Sequence, residues 1–294
     1  MKKFRGVYPI LPTPFSEDGG LDLESLRRLI DYQRSVGVSG VAILGHMGEA
    51  IHLSEGERRQ VIETVMEVVG DDLAVWVGVR AFGTMGCVEQ AKMAADLGAH
   101  CVFVAPVNVQ NDDVLYDHYK TVADAVDIPV MVHDYPTSFT VNLSPKLIGR
   151  LGKDGICPYI KLEDYPVGPK TTAVREQSAD TVGVFGGLGG FYFIEELERG
   201  AIGIATGFAF PQILVGIQNL FDSGDVEGAR QMFDKYATLI RYEFQPKLGL
   251  AFRKHVYRKR GVFTSDFVRA PGMKLDEQTA AEFESIIQRC GLTL

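Results

Sequence analysis

The chain has 294 residues, 46% hydrophobic and 23% charged, an ordinary globular composition that excludes long disorder and fibrous repeats and allows a sizeable core. Lys and Arg total 30 against 38 Asp and Glu, for a net charge of -8, so no broad cationic surface for nucleic acid or anionic lipid is expected.

The N-terminal segment MKKFRGVYPILPTPF carries two lysines and some apolar residues, but Arg5, Pro9, Pro12 and Pro14 interrupt any signal-like apolar stretch, and it reads as part of the fold. Beyond it, short apolar or β-branched runs alternate with amphipathic segments. Strands are predicted at 7–11, 40–44, 74–79, 101–105, 130–133, 159–161, 182–185 and 202–206, by their length and residue types. Helices are predicted between them at 23–35, 55–69, 85–97, 114–126, 145–151, 170–177, 192–198 and 211–221. Ser54 with Glu57 forms a capping box, and Ser144 precedes Pro145 at a first helical position. After Asp225 the strand signals stop and helices are predicted at 226–244, 247–259 and 277–289. The pattern is that of an α/β protein, a (β/α)₈ TIM barrel over residues 1–224 with a three-helix extension over 225–294 packed on it. A doubly wound sheet is the competing fold, but no GxGxxG follows the first strand.

The basic run 253–260 alternates with Ala251, Phe252, Val256 and Tyr257 and reads as a solvated helix face. Cys87, Cys101, Cys157 and Cys290 show no CxxC pair and no metal-ligand spacing, which points to reduced thiols in a cytoplasmic protein and to no metal site. No apolar run reaches the roughly 18 residues that span a bilayer; the stretch after Phe191 is broken by Glu195, Glu196, Glu198 and Arg199, so no membrane role is expected.

In a barrel of this type the active site lies at the C-terminal ends of the strands, which directs attention to residues 12–15, 45–49, 133–136, 161–163 and 186–190. Lys161 ends an apolar run, where burial among neighbouring strands would disfavour its ammonium form and make it a nucleophile for ketones. Glu163, two residues on, projects to the same side if the strand continues and is placed to move protons next to an imine. Position alone also fits a solvated strand-end lysine.

PTPF near the start, GxxGE after the second strand, a strand-end lysine in the sixth unit and VRAP before the last helix together resemble the 4-hydroxy-tetrahydrodipicolinate synthase and N-acetylneuraminate lyase family over nearly the whole chain. The resemblance implies a (β/α)₈ barrel with C-terminal helices, a Schiff-base lysine at Lys161, no cofactor or metal, a homotetramer or homodimer, and a substrate carboxylate held by the loop Gly45, His46, Met47, Gly48 and Glu49. Backbone N–H groups at the start of a helical turn suit an anion. Glu49 itself is expected to play a structural part, bonding free N–H groups at a helix start.

The departures redirect the substrate. The family's GTTGE reads GHMGE, so a threonine proton relay cannot operate; its YNxP tyrosine falls on His133, its paired tyrosines on Val107 and Asn108, and the arginine of lysine-biosynthetic members on Ser138. With VMVHDYPTSF and YIKLE, the chain looks most like the 2-keto-3-deoxy-sugar-acid dehydratase branch, typified by L-2-keto-3-deoxyarabonate dehydratase. This implies a hydro-lyase in which Glu163 is the C3 base and His133 orients substrate or carries a proton. Asp134, Tyr135 and Thr206 are further expected pocket residues, and Gly186 and Gly187, with Gly189 and Gly190, are expected to leave room for a substrate chain. A retro-aldolase, a 4-hydroxy-tetrahydrodipicolinate synthase and a non-catalytic keto-acid binder are the alternatives.

Overall fold

The computed structural model describes residues 3–294; Met1 and Lys2 of the N-terminal segment lie outside it. Eight strands, β1 (Gly6–Pro9), β2 (Gly40–Ile43), β3 (Ala74–Val79), β4 (Cys101–Val104), β5 (Val130–Asp134), β6 (Tyr159–Leu162), β7 (Gly183–Gly186) and β8 (Gly203–Thr206), pair in parallel in the order β1-β8-β7-β6-β5-β4-β3-β2. The first strand is bonded on both sides: on the β8 side the Ile10 N–H donates to the Thr206 carbonyl at 3.0 Å. On the other, the Ser39 N–H donates to the Val7 carbonyl at 3.0 Å, Ile10 bridges Ala42 and the Leu11 N–H donates to the Ala42 carbonyl at 2.8 Å, closing the barrel.

The intervening helices are α1 (Leu23–Ser35), α2 (Glu55–Val69), α3 (Thr84–Asp96), α4 (Asp112–Ala123), the single turn α5 (Pro136–Phe139), α6 (Pro145–Lys153), α7 (Val167–Ser178), α8 (Phe193–Glu198) and α9 (Pro211–Asp222). The expected capping box at Ser54 and Glu57 is formed at α2, and Ser144 caps α6 ahead of Pro145. The turn α5 was not expected from periodicity, being too short to show one; proline at its first position is its sole sequence signal.

Strand alternation divides the core into two shells. Outward residues such as Val75, Val102, Ile160 and Val184 pack under the helices, while Tyr8, Trp76, Phe103, Met131 and Phe185 fill the barrel, with Tyr8 stacked on Trp76 at 3.7 Å between ring centroids. This aromatic plug leaves open space at the C-terminal ends of the strands, where an active site of this fold belongs. Among the described residues no helix is long and apolar enough to cross a membrane.

Three helices follow, α10 (Val226–Glu243), α11 (Gly249–Lys259) and α12 (Glu277–Arg289). The basic run is not a solvated face. In α11 Arg253, Lys254 and His255 are buried with Val256 and Tyr257, and of its basic side chains Arg258 and Lys259 face solvent. Arg253 Nε donates to Glu243 at 2.9 Å, and Lys254 pairs with Glu49 and donates to the Phe267 carbonyl at 2.8 Å. Buried charges persist because they are paired. The signal was present: residues three and four apart share a helix face, which sets Arg253 beside Val256 and Tyr257.

Candidate active site

Register places the central groups. His133 of β5 is the ladder partner of Lys161 on β6, and Lys161 in turn is opposite Phe185, an inward residue of β7. Both side chains therefore point into the barrel mouth above the aromatic plug. Glu163 continues the alternation past the end of β6, held by a 2.8 Å bond from its N–H to the Asp134 carbonyl. Lys161, His133 and Glu163 are all buried. Lys161 Nζ lies 3.1 Å from His133 Nε2, which is 3.1 Å from Glu163 Oε2, and Lys161 and Glu163 are in direct contact. The other carboxylate oxygen accepts from the Leu188 N–H at 2.9 Å, so Glu163 is fixed from two sides.

Burial pulls the Lys161 amine down to about 7, opposed by the carboxyl groups of Glu196 and Asp134. The same desolvation, with the neighbouring Lys161 charge, holds His133 well below its ordinary value, so its ring is neutral near pH 7. A primary amine that is substantially unprotonated near pH 7, the Glu163 carboxyl group and a neutral imidazole thus meet in one buried recess of about 40 Å³ beside a cavity of about 560 Å³. An unprotonated amine can add to a ketone, and an adjacent carboxylate can move a proton at the next carbon.

The glycines after β7 make room for protein, not for a substrate chain. A methyl group on Gly187 would collide with the Glu163 side chain, and one on Gly186 with the Glu196 carboxyl. Gly187 points inward and Gly186 outward, as alternation demands. Glu196 is fully buried, and burial raises its carboxyl well above the ordinary range. Asp134 is likewise corrected: one position from inward His133, its side chain faces outward to the helix layer, where its carboxylate lies 2.7 Å from Lys170 Nζ and burial raises it to about 6.

Gly45, His46, Met47 and Glu49 line the larger cavity, and His46–Gly48 form one helical turn. The first N–H groups of such a turn have no acceptor within it. Thr13 of the PTPF segment donates its hydroxyl to the Gly48 carbonyl at 2.6 Å. Glu49 is structural, but by another route than expected. In a left-handed conformation (φ 54°) it caps no helix with its side chain; its carboxylate pairs with Lys254 and accepts from the Arg269 N–H at 2.9 Å. Phe15 lies beneath both cations, 4.4 Å from Lys254 Nζ and 4.2 Å from the Arg269 guanidinium. PTPF, GxxGE and VRAP therefore meet in one cluster that braces the rim of the cavity. Tyr135 stacks on His133 at 6.4 Å and faces His46, and Thr206 accepts from the Gly189 N–H at 2.8 Å while lining the recess.

With the fold and these groups in place, comparison with known proteins is decisive: residues 3–290 match the family described as the dihydrodipicolinate synthetase family. The chain belongs to the dihydrodipicolinate synthetase family. Among relatives in this family, the L-2-keto-3-deoxyarabonate dehydratase of Azospirillum brasilense is 28% identical over 295 residues, 98% of this chain and 94% of that protein. The 4-hydroxy-tetrahydrodipicolinate synthase of Methanothrix thermoacetophila is 28% identical over 97% of each chain. A crystal structure of dihydrodipicolinate synthase from Rhodopseudomonas palustris superposes with a TM-score of 0.92 at 34% identity, over 97% of each chain.

Two arginines of the site were missed in the sequence. Arg253 reaches the recess from α11, against the Met47 sulfur. Arg80, the first residue after β3, lines the larger cavity; its place at a strand end was the available signal.

Proposed function

We propose that this family member is a carbon–oxygen lyase that dehydrates a 2-keto-3-deoxy sugar acid through an imine on Lys161. The observation that carries the reading is the buried contact of Lys161, Glu163 and His133, with the lysine amine brought down to about 7. The neutral amine adds to the C2 ketone, and loss of the carbonyl oxygen as water leaves a protonated imine. That cation draws electrons from C3, and the Glu163 carboxylate takes a C3 proton to give the enamine. The enamine pair then expels the C4 hydroxyl, which leaves as water with the proton Glu163 has just received. Hydrolysis of the resulting conjugated imine frees Lys161. His133, neutral and within hydrogen-bond distance of both groups, keeps Glu163 directed at the imine carbon chain.

The loop Gly45, His46, Met47 and Gly48 holds the substrate C1 carboxylate in this reading, supported by its place on the cavity wall and by the anion preference of a turn's first N–H groups. Tyr135 and Thr206 line the space beside the imine. We further infer a homodimer or homotetramer, for which exposed Ile51, Phe82, Met85 and Val109 around the barrel mouth supply apolar surface. The test is turnover: incubation with a panel of 2-keto-3-deoxy acids should yield the dehydrated keto acid with no pyruvate and aldehyde. Cleavage to pyruvate would assign the retro-aldol reaction instead, and no turnover of any keto acid would assign a binder.

A further inference from the structure

The charged groups on the wall of the large cavity divide into those already paired and those left free. Glu49 is committed to Lys254, and Arg253 to Glu243 at 2.9 Å. Arg80 and Lys247 line the same cavity, and among the described residues neither has a carboxylate within ion-pair distance. They differ in how they are held. Both residues are exposed, and Lys247 sits on the segment between α10 and α11. Arg80 is braced at both ends: its N–H donates to Gln90 Oε1 at 3.0 Å, and its guanidinium lies over the Phe139 ring, 4.9 Å from the centroid.

Phe139 carries this cation into the site. Its ring meets the His133 ring edge-to-face at 4.8 Å, and His133 is 3.1 Å from Lys161 Nζ. A keto acid joined to Lys161 at C2 therefore runs outward past His133 and Phe139 toward the guanidinium held over Phe139, which among the described residues has no carboxylate counter-ion. A planar fork of N–H donors matches a carboxylate better than it matches a hydroxyl, and a cation left unpaired on a cavity wall favours an anionic ligand over a neutral one of equal size.

We propose that Arg80 forms a distal anion subsite, so that this enzyme takes keto acids bearing a second carboxylate at the far end, a 2-keto-3-deoxy aldaric acid in place of a sugar acid ending in a primary alcohol. This rests on the imine reading at Lys161 and narrows its substrate class. The C1 carboxylate stays at the inner loop, and the C5 or C6 carboxylate meets Arg80.

The experiment separates the subsite from the chemistry by using keto acids that bind but carry no C4 hydroxyl. 2-Oxopentanedioate is compared with 2-oxopentanoate, and 2-oxohexanedioate with 2-oxohexanoate, as competitors of pyruvate in borohydride labelling of Lys161. In the unaltered enzyme the better-fitting dicarboxylate should compete about tenfold to a hundredfold more effectively than its monocarboxylate twin, the range of one charge-assisted contact. Arg80→Gln should bring that ratio near one, Arg80→Lys should keep part of it, and Lys247→Gln should leave it high. Equal competition in the unaltered enzyme, a ratio retained in Arg80→Gln, or a ratio lost in Lys247→Gln would overturn the assignment. If pyruvate fails to label Lys161 at all, the imine reading falls on its own. The subsite is then judged by calorimetric binding of the same pairs of acids, with the same three overturning results.

Discussion

Replacing Glu163 by Gln separates chemistry from binding in a way the geometry makes specific. The amide has the shape of the carboxylate: its oxygen can accept the Leu188 N–H bond now made at 2.9 Å, and its NH₂ can donate to His133 Nε2 across the present 3.1 Å contact. The variant should therefore fold and keep Lys161 in place, but it cannot accept a proton. A positioned base contributes about 10²–10⁴-fold, about 3–5 kcal/mol of barrier at 1.36 kcal/mol per tenfold. Turnover of a 2-keto-3-deoxy acid should fall by that factor while pyruvate remains trappable on Lys161. Exchange of the C3 protons of bound pyruvate with deuterated solvent, followed by NMR, provides the assay independent of substrate identity. It should be rapid with the unaltered enzyme and about 10²–10⁴-fold slower in Glu163→Gln. Exchange and turnover near the unaltered rates would refute the assignment of Glu163 as the base, and His133 would be the next group to test.

Three further outcomes follow from the same geometry. Because the Lys161 amine is brought down to about 7 from 10.5, pyruvate trapping should rise from pH 6 and level off above about pH 8; a rise continuing through pH 9 would mean an ordinary, solvated lysine. Gly187→Ala would push the added methyl into Glu163, so it should reproduce the turnover loss of Glu163→Gln with the imine intact, and normal turnover would show that the carboxylate has room to move. Lys254→Met leaves the buried Glu49 carboxylate without its cation and should cost about 3–5 kcal/mol, read as a lower urea midpoint at unchanged slope; a change under about 1 kcal/mol, the range of exposed pairs, would mean the pair is not desolvated.

The barrel was legible because each βα unit repeats the same two periodicities, and eight repetitions outweigh errors at any one boundary. Lys161 and Glu163 were legible for a related reason: a spacing of two on a strand fixes a shared face. That rule, carried one residue further, would have turned Asp134 away from the site, since it adjoins inward His133. Other features depend on partners distant in sequence. Nothing local to Lys254 names Glu49, 205 positions away, as its counter-ion, and nothing local to Gly187 shows that the space it leaves is taken by Glu163. The family motifs were visible as strings, but their physical meaning, one cluster of Phe15, Glu49, Lys254 and Arg269 bracing the rim, exists only once α11 has folded over the barrel.

Whether Lys161 is the amine that binds a keto acid covalently is read by mass spectrometry after borohydride reduction in the presence of pyruvate. One pyruvate-derived adduct per chain is expected, located by peptide mapping on Lys161 and absent in Lys161→Met. An adduct on any other lysine, or no adduct at pH 8 with saturating pyruvate, would contradict it.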